Sequence, residues 1–274
     1  GKEINPNETC VSVGWGEFSA ILFQQTKDAK YLDAIERVLF NHLIGSFDED
    51  GTDFAYYQPN YGKRITRTSE NFYKCCRYRG FNAISKLNDI IFYEDEKDII
   101  PMIYTSAKYE SNNLTITEKT NYPFDDRITF KISGNTDKLF KLRVPGWCNS
   151  YDLTINGIDI ETKKSDRYVN LKINDGDIIL LSLNTTVKKD RVVINDKKYV
   201  GFSYGCVVLM VDSNICEDIY GAKNTDAKLT RNLTTEYNIE FDSDDLRLVD
   251  YASAGKKHEN DEISEWILMD NKNQ

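Results

Sequence analysis

The spacing of apolar residues changes once along this chain, and that change constrains the fold more than any other feature. Beyond the charge cluster Glu94-Asp95-Glu96-Lys97-Asp98 the period drops to two, as in Leu114-Thr115-Ile116-Thr117, Ile128-Thr129-Phe130-Lys131-Ile132, Phe140-Lys141-Leu142-Arg143-Val144 and Val169-Asn170-Leu171-Lys172-Ile173. Strict alternation marks half-buried strands, and Asn156-Gly157 and Asp175-Gly176 between them are hairpin turn signals. The short intervals are those of an antiparallel β-sandwich. Further strands are expected at Val192 to Ile194, Tyr199 to Val211 and Leu246 to Tyr251, with Trp266-Ile267-Leu268 closing the chain.

Before the charge cluster the spacing is helical. Trp15, Phe18, Ile21 and Leu22 line one face, and after Thr26-Lys27-Asp28 the residues Tyr31, Ile35, Val38 and Leu39 line another, which predicts a helical hairpin. A third helix is expected from Cys76 to Ile91, with Ser69 or Asn71 beginning the preceding turn. Between them, Asp50-Gly51 and the run Phe54-Ala55-Tyr56-Tyr57-Gln58-Pro59 predict a hairpin excursion that walls the helices. The resulting division is 1–95 for a helical domain, 96–212 for a β-sandwich domain and 213–274 for strands that pack on it.

With 274 residues, 40% of them apolar, the chain can bury more than one core. A net charge of -9 argues against a nucleic-acid partner, which would be held by clustered Lys and Arg, and favours neutral sugars or cations. No apolar run is long enough for a membrane span and no signal-peptide pattern opens the chain, so no membrane partner and a cytoplasmic location are expected. The Gly at position 1, with a motif following within ten residues, leaves export open and predicts an upstream part.

Six cysteines, two of them adjacent, are too sparse for a disulfide scaffold, and by themselves all six read equally well as reduced core residues. Two short motifs allow more. Glu8-Thr9-Cys10 lies just ahead of the first expected helix and Cys75-Cys76 just ahead of the third. If both helix starts point the same way, one carboxylate and three thiolates converge, a set that completes a tetrahedral zinc shell.

These motifs sit in a longer co-linear pattern. Glu8-Thr9-Cys10, Trp15, the run from Asp28 to Asn41, Asp50-Gly51 through Gln58-Pro59, Cys75-Cys76, Thr120-Asn121-Tyr122-Pro123-Phe124 and Leu142-Arg143-Val144-Pro145-Gly146-Trp147 together resemble the glycoside hydrolase family of β-L-arabinofuranosidases. The resemblance implies an α+β multidomain fold, in which part of an (α/α)₆ barrel precedes a jelly-roll-like antiparallel β-sandwich. It implies zinc held by Glu8, Cys10, Cys75 and Cys76, with Cys75 the nucleophile of a retaining hydrolysis of a carbohydrate substrate. It also matches Tyr56 to an active-site tyrosine that contacts the sugar, although a packed aromatic would look the same.

In that family the general acid lies upstream of the Glu-x-Cys motif, and Glu3 is too near Glu8 to take that part, so this stretch alone is expected to be inactive. The run Arg77-Tyr78-Arg79-Gly80 departs from the family pattern and would suit anionic sulfur, an acidic sugar or a plain surface helix start. Cys148, Cys206 and Cys216 read as residues of the β module, and Glu36-Arg37 as part of an intrahelical or interhelical ion pair rather than a catalytic one. Without the other helices of a barrel, the apolar helix faces predict either a homodimer or disorder near residue 1. Two other readings stand beside the enzyme: a carbohydrate-binding sandwich using Tyr122, Phe124 or Trp147, and a purely structural zinc site.

Overall fold

The computed structural model describes residues 7–48, 50–64, 74–161, 167–217, 220, 228–232, 234, 236–243, 246–258 and 260–269. The expected turn start at Ser69 or Asn71, the order near residue 1 and Glu3 lie outside these residues. The described residues are mostly strand, with few helices. They form two compact units, one made of Gly1–Gly16, Arg37–Ala83 and Thr186–Gln274, the other of Glu17–Glu36 and Ile84–Thr185.

Helix α1 spans Thr9–Thr26, α2 spans Lys30–Arg37 and runs on into a π-helical segment Val38–Leu43, and α3 spans Lys74–Ser85. The hairpin break falls at Lys27, whose left-handed φ of 59° lets its N–H bond back to the Phe23 carbonyl at 2.7 Å and close α1. Asp28 then starts α2 by accepting the Lys30 N–H at 3.0 Å. On α1 the face with Trp15, Phe18 and Ile21 is exposed, along with Val11, whereas Val13 and Phe23 are buried. Apolar residues lie on both sides of this helix, so periodicity alone could not say which side faces inward.

In the second unit, alternation becomes a sandwich. A six-stranded sheet runs in the order Ile158–Asp159, Asp152–Ile155, Ile178–Ser182, Arg127–Gly134, Leu114–Thr120, Ala107–Ser111. A four-stranded sheet runs Tyr168–Leu171, Leu139–Arg143, Asp98–Pro101, Phe92–Glu94. Phe130 of the first meets Phe140 of the second edge-on at 5.2 Å, and Ile116, Ile128, Leu142, Ile179 and Leu181 are buried with them. The sandwich is not wholly antiparallel, because Asp98–Pro101 pairs in parallel with Leu139–Arg143.

The first unit carries the other large sheet. Val187–Ile194, Lys197–Tyr204, Val207–Asp212, Leu246–Asp250, Glu240–Ser243 and Thr230–Asn232 lie side by side in that order. Val207–Asp212 is buried at every position, and its first five residues, Val207-Val208-Leu209-Met210-Val211, form a continuous apolar run ahead of the buried Asp212. Asn41 docks the π-helical segment on this strand, giving its amide to the Cys206 carbonyl at 2.9 Å and accepting the Val208 N–H at 2.7 Å.

Candidate metal centre

The site is assembled in the first unit on a short strip, residues 53–58. Asp48 organises the turn ahead of it by accepting the N–H groups of Thr52 and Asp53 at 2.7 and 3.1 Å. Phe54 bridges to Phe47, and the Ala55 N–H donates to the Ser46 carbonyl at 2.8 Å. Tyr57 and Gln58 pair antiparallel with Glu8 and Asn7. The Thr9 N–H donates to the Tyr56 carbonyl at 2.9 Å and its hydroxyl to the Ala55 carbonyl at 2.7 Å. Glu8 and Cys10 are thereby fixed at the start of α1.

The other end of the strip seats α3. The Phe54 ring stacks edge-on against Phe81 at 5.1 Å and lies so close to Gly80 that an added Cβ would sit 2.5 Å from it. Arg77 reaches Asp53 with its Nε at 3.3 Å. The glycine that departs from the family pattern is therefore a seat for an aromatic ring. Arg77, for which anionic sulfur, an acidic sugar and a plain surface helix start were all open, is paired with Asp53 of the turn.

The donors expected from the two motifs come together. The sulfurs of Cys10, Cys75 and Cys76 all lie within 4.8 Å of one another. Cys76 Sγ is 3.2 Å from Cys10 Sγ and 3.8 Å from Glu8 Oε1. In a tetrahedral shell with metal–sulfur arms of about 2.3 Å, neighbouring ligand atoms are roughly 3.8 Å apart. Distances and donor chemistry of the three sulfurs suit a metal ion, and the Glu8 carboxylate approaches the group from the Cys76 side. Burial, reinforced by Cys75 and Glu8, holds the Cys10 thiol above its ordinary range, and burial beside Cys10 pushes Cys76 up as well. A cation among such groups reverses that preference, because a coordinated thiol is deprotonated.

Cys75 is exposed, Cys10 half-buried and Cys76 fully buried, so the three sulfurs are not equivalent towards a small molecule. Tyr56 is half-buried, edge-on to Tyr57 at 4.2 Å. Hydrogen bonding to Tyr57, then burial and Glu8, keeps its phenol protonated well above the ordinary range. Its phenol thus lies beside Glu8. His42 is buried with Nε2 2.8 Å from the Asn7 carbonyl, and burial lowers its pKa to about 4.

Other candidates lie elsewhere. Cys148 is buried and gives its thiol to the Leu183 and Ser150 carbonyls at 2.9 and 3.0 Å, and Cys206 is buried. Glu36 does not pair with Arg37. It is wholly buried and paired with Arg143, far away in sequence, and it accepts the Tyr122 hydroxyl at 2.9 Å. Tyr122 is accordingly a core residue and no stacking platform. Thr9, Asp53 and the contact of Phe54 with Gly80 were not anticipated. The one signal for Thr9 was its place between two donors.

Residues 2–89 match the family description "Beta-L-arabinofuranosidase, GH127 catalytic domain", and residues 101–185 match "Beta-L-arabinofuranosidase, GH127 middle domain". A non-reducing end β-L-arabinofuranosidase of Bifidobacterium longum is 28% identical over 205 residues, covering 66% of this chain and 31% of that protein. The solved GH127 β-L-arabinofuranosidase of Geobacillus stearothermophilus superposes with a TM-score of 0.78 at 19% identity, over 97% of this chain and 50% of that one. A second solved GH127 β-arabinofuranosidase gives 0.83 at 21% identity with the same coverage. The chain thus spans about a third of its curated relative and half of these solved chains, and the structural likeness concerns the fold. No helix among the described residues is long and apolar enough to cross a membrane.

Proposed function

Because this chain belongs to the GH127 β-L-arabinofuranosidase family, we propose that it supplies the metal centre and nucleophile of a retaining glycoside hydrolase acting on a β-L-arabinofuranoside. Its helical segment is read as part of an (α/α)₆ barrel. Glu8, Cys10, Cys75 and Cys76 hold zinc, the cation best matched to three thiolates and one carboxylate in a tetrahedron. When bound, zinc supplies the positive charge that keeps sulfur ionised at neutral pH.

Cys75 is the nucleophile, and the observation that carries this reading is its exposure beside two less accessible sulfurs. Its sulfur bonds to the anomeric carbon as the bond from that carbon to the leaving oxygen breaks, and the leaving oxygen collects a proton. Water then attacks the same carbon and releases a proton to solvent, which balances the one taken by the leaving oxygen, as the carbon–sulfur bond breaks and its electron pair returns to Cys75. Two displacements at one carbon retain configuration. Tyr56, held beside Glu8, contacts the sugar.

The test uses para-nitrophenyl β-L-arabinofuranoside, whose phenolate departs without a proton, so the nucleophile is read separately from any acid. Acid-quenched protein analysed by peptide mass spectrometry is expected to carry a pentosyl group on Cys75. Cys75→Ser is expected to lose the adduct and keep zinc. An adduct on another side chain, or turnover unchanged by the substitution, contradicts the assignment. Four protein ligands are also the usual shell of structural zinc. Bound zinc with no adduct in the unaltered protein selects that second reading.

A further inference from the structure

Thr9 lies between the two donors of its motif and faces away from them into the protein. It is fully buried, whereas Glu8 and Cys10 on either side are half-buried. Its hydroxyl and its N–H donate to the successive carbonyls of Ala55 and Tyr56 at 2.7 and 2.9 Å. The residue preceding those carbonyls, Phe54, is packed against Gly80 without room for a methyl group, and Gly80 belongs to α3, which also carries Cys75 and Cys76. One stretch of three residues thus receives both halves of the donor set. At the half that holds Glu8 and Cys10, the Thr9 hydroxyl is a side-chain link to this stretch.

We infer that Thr9 is a positioning residue of the metal centre, its hydroxyl fixing the separation of Glu8 and Cys10 from the Cys75-Cys76 pair. The inference rests on the metal-centre reading above. A side chain that only filled its pocket could be replaced by Val, which has the same branched shape. Without the hydroxyl, however, the buried Ala55 carbonyl loses its partner and Thr9 loses one of its own two bonds to the strip. Groups that hold ligands in place are typically worth about 10- to 100-fold in metal affinity.

Cobalt(II) titration of this chain, followed by sulfur-to-cobalt charge-transfer absorption, reads affinity and geometry without turnover. Thr9→Val is expected to weaken cobalt binding by about 10- to 100-fold and to change the band, while Thr9→Ser keeps both near their original values. Should Thr9→Val fail to give a folded circular dichroism spectrum, Thr9→Ser and Thr9→Ala, which differ by the hydroxyl alone, make the same comparison. Equal affinity and an unchanged band without the hydroxyl overturn the positioning role and leave the metal centre standing. Absence of cobalt uptake by the unaltered chain overturns both.

Discussion

Arg143 in one unit and Cys76 in the other are both completely buried among ionisable groups, yet their surroundings differ in sign. Arg143 is paired with Glu36 and gives Nη1 to Asp33 at 2.8 Å, while Arg167 takes the other Asp33 oxygen at 2.5 Å and Tyr122 the remaining Glu36 oxygen at 2.9 Å. Gly146 completes the wrapping, since a Cβ there would lie 2.7 Å from Asp33. Cations and anions answer one another, with Arg143 Nε the donor left without a partner. Around Cys76 are two more thiols and a carboxylate, groups that become anionic or not charged at all. The nearby Arg77 is paired with Asp53. A mixed cluster is finished by its own chain, and a like-sign cluster calls for a cation.

That contrast breaks most sharply at Arg143. Arg143→Met leaves the wholly buried Glu36 without its cation, while Asp33 keeps Arg167, and is expected to cost about 3–5 kcal/mol in urea unfolding, whereas adding Glu36→Leu recovers much of the loss. No recovery would mean that Arg143 acts by packing alone. Next in size, saturating zinc is expected to stabilise the first unit by about 2.7 kcal/mol at a hundredfold excess over its dissociation constant, an increment absent from Cys10→Ser. A zinc increment that survives the substitution moves the metal elsewhere. Gly80→Ala sets a gain in helix propensity of about 1 kcal/mol against a contact 2.5 Å from the Phe54 ring. Overpacking of about 1–3 kcal/mol wins, so the variant is less stable and binds zinc more weakly.

The smallest effect is in pH, where the two units oppose each other. Burial raises the Glu36 carboxyl to about 7, although Arg143 and Tyr122 pull it back, so its contribution is full below the ordinary carboxyl range and is lost as pH rises towards 7. His42 is lowered to about 4, so its contribution is full above pH 6.5 and is lost as pH falls towards 4. In the unaltered chain the slopes offset each other. Glu36→Gln is expected to expose the acid-side loss in urea midpoints and His42→Gln the alkaline-side loss. Parallel curves for both variants would contradict these assignments.

The strands of the sandwich were legible because alternation is a property of neighbouring residues, as in Leu114–Thr120, where inward and outward positions follow one another. The helical hairpin was legible too, down to the break at Lys27. The four donors were visible as two motifs, but the strip that joins them was not. Thr9 meets Ala55, and Gly80 meets Phe54, only after the chain has folded back. The same holds for Glu36, which read as part of an ion pair but whose partner, Arg143, only the folded sheet brings to it. Parallel pairing of Asp98–Pro101 and the inward side of α1 likewise depend on contacts that local spacing does not carry.

X-ray absorption at the zinc edge, with metal content measured per chain, tests the central claim most directly. One zinc per chain is expected, with three sulfur neighbours at about 2.3 Å and one oxygen neighbour, and a sulfur neighbour lost in Cys10→Ser. A zinc surrounded by nitrogen and oxygen alone, or no zinc retained after dialysis, would contradict a shared ion between Glu8, Cys10, Cys75 and Cys76.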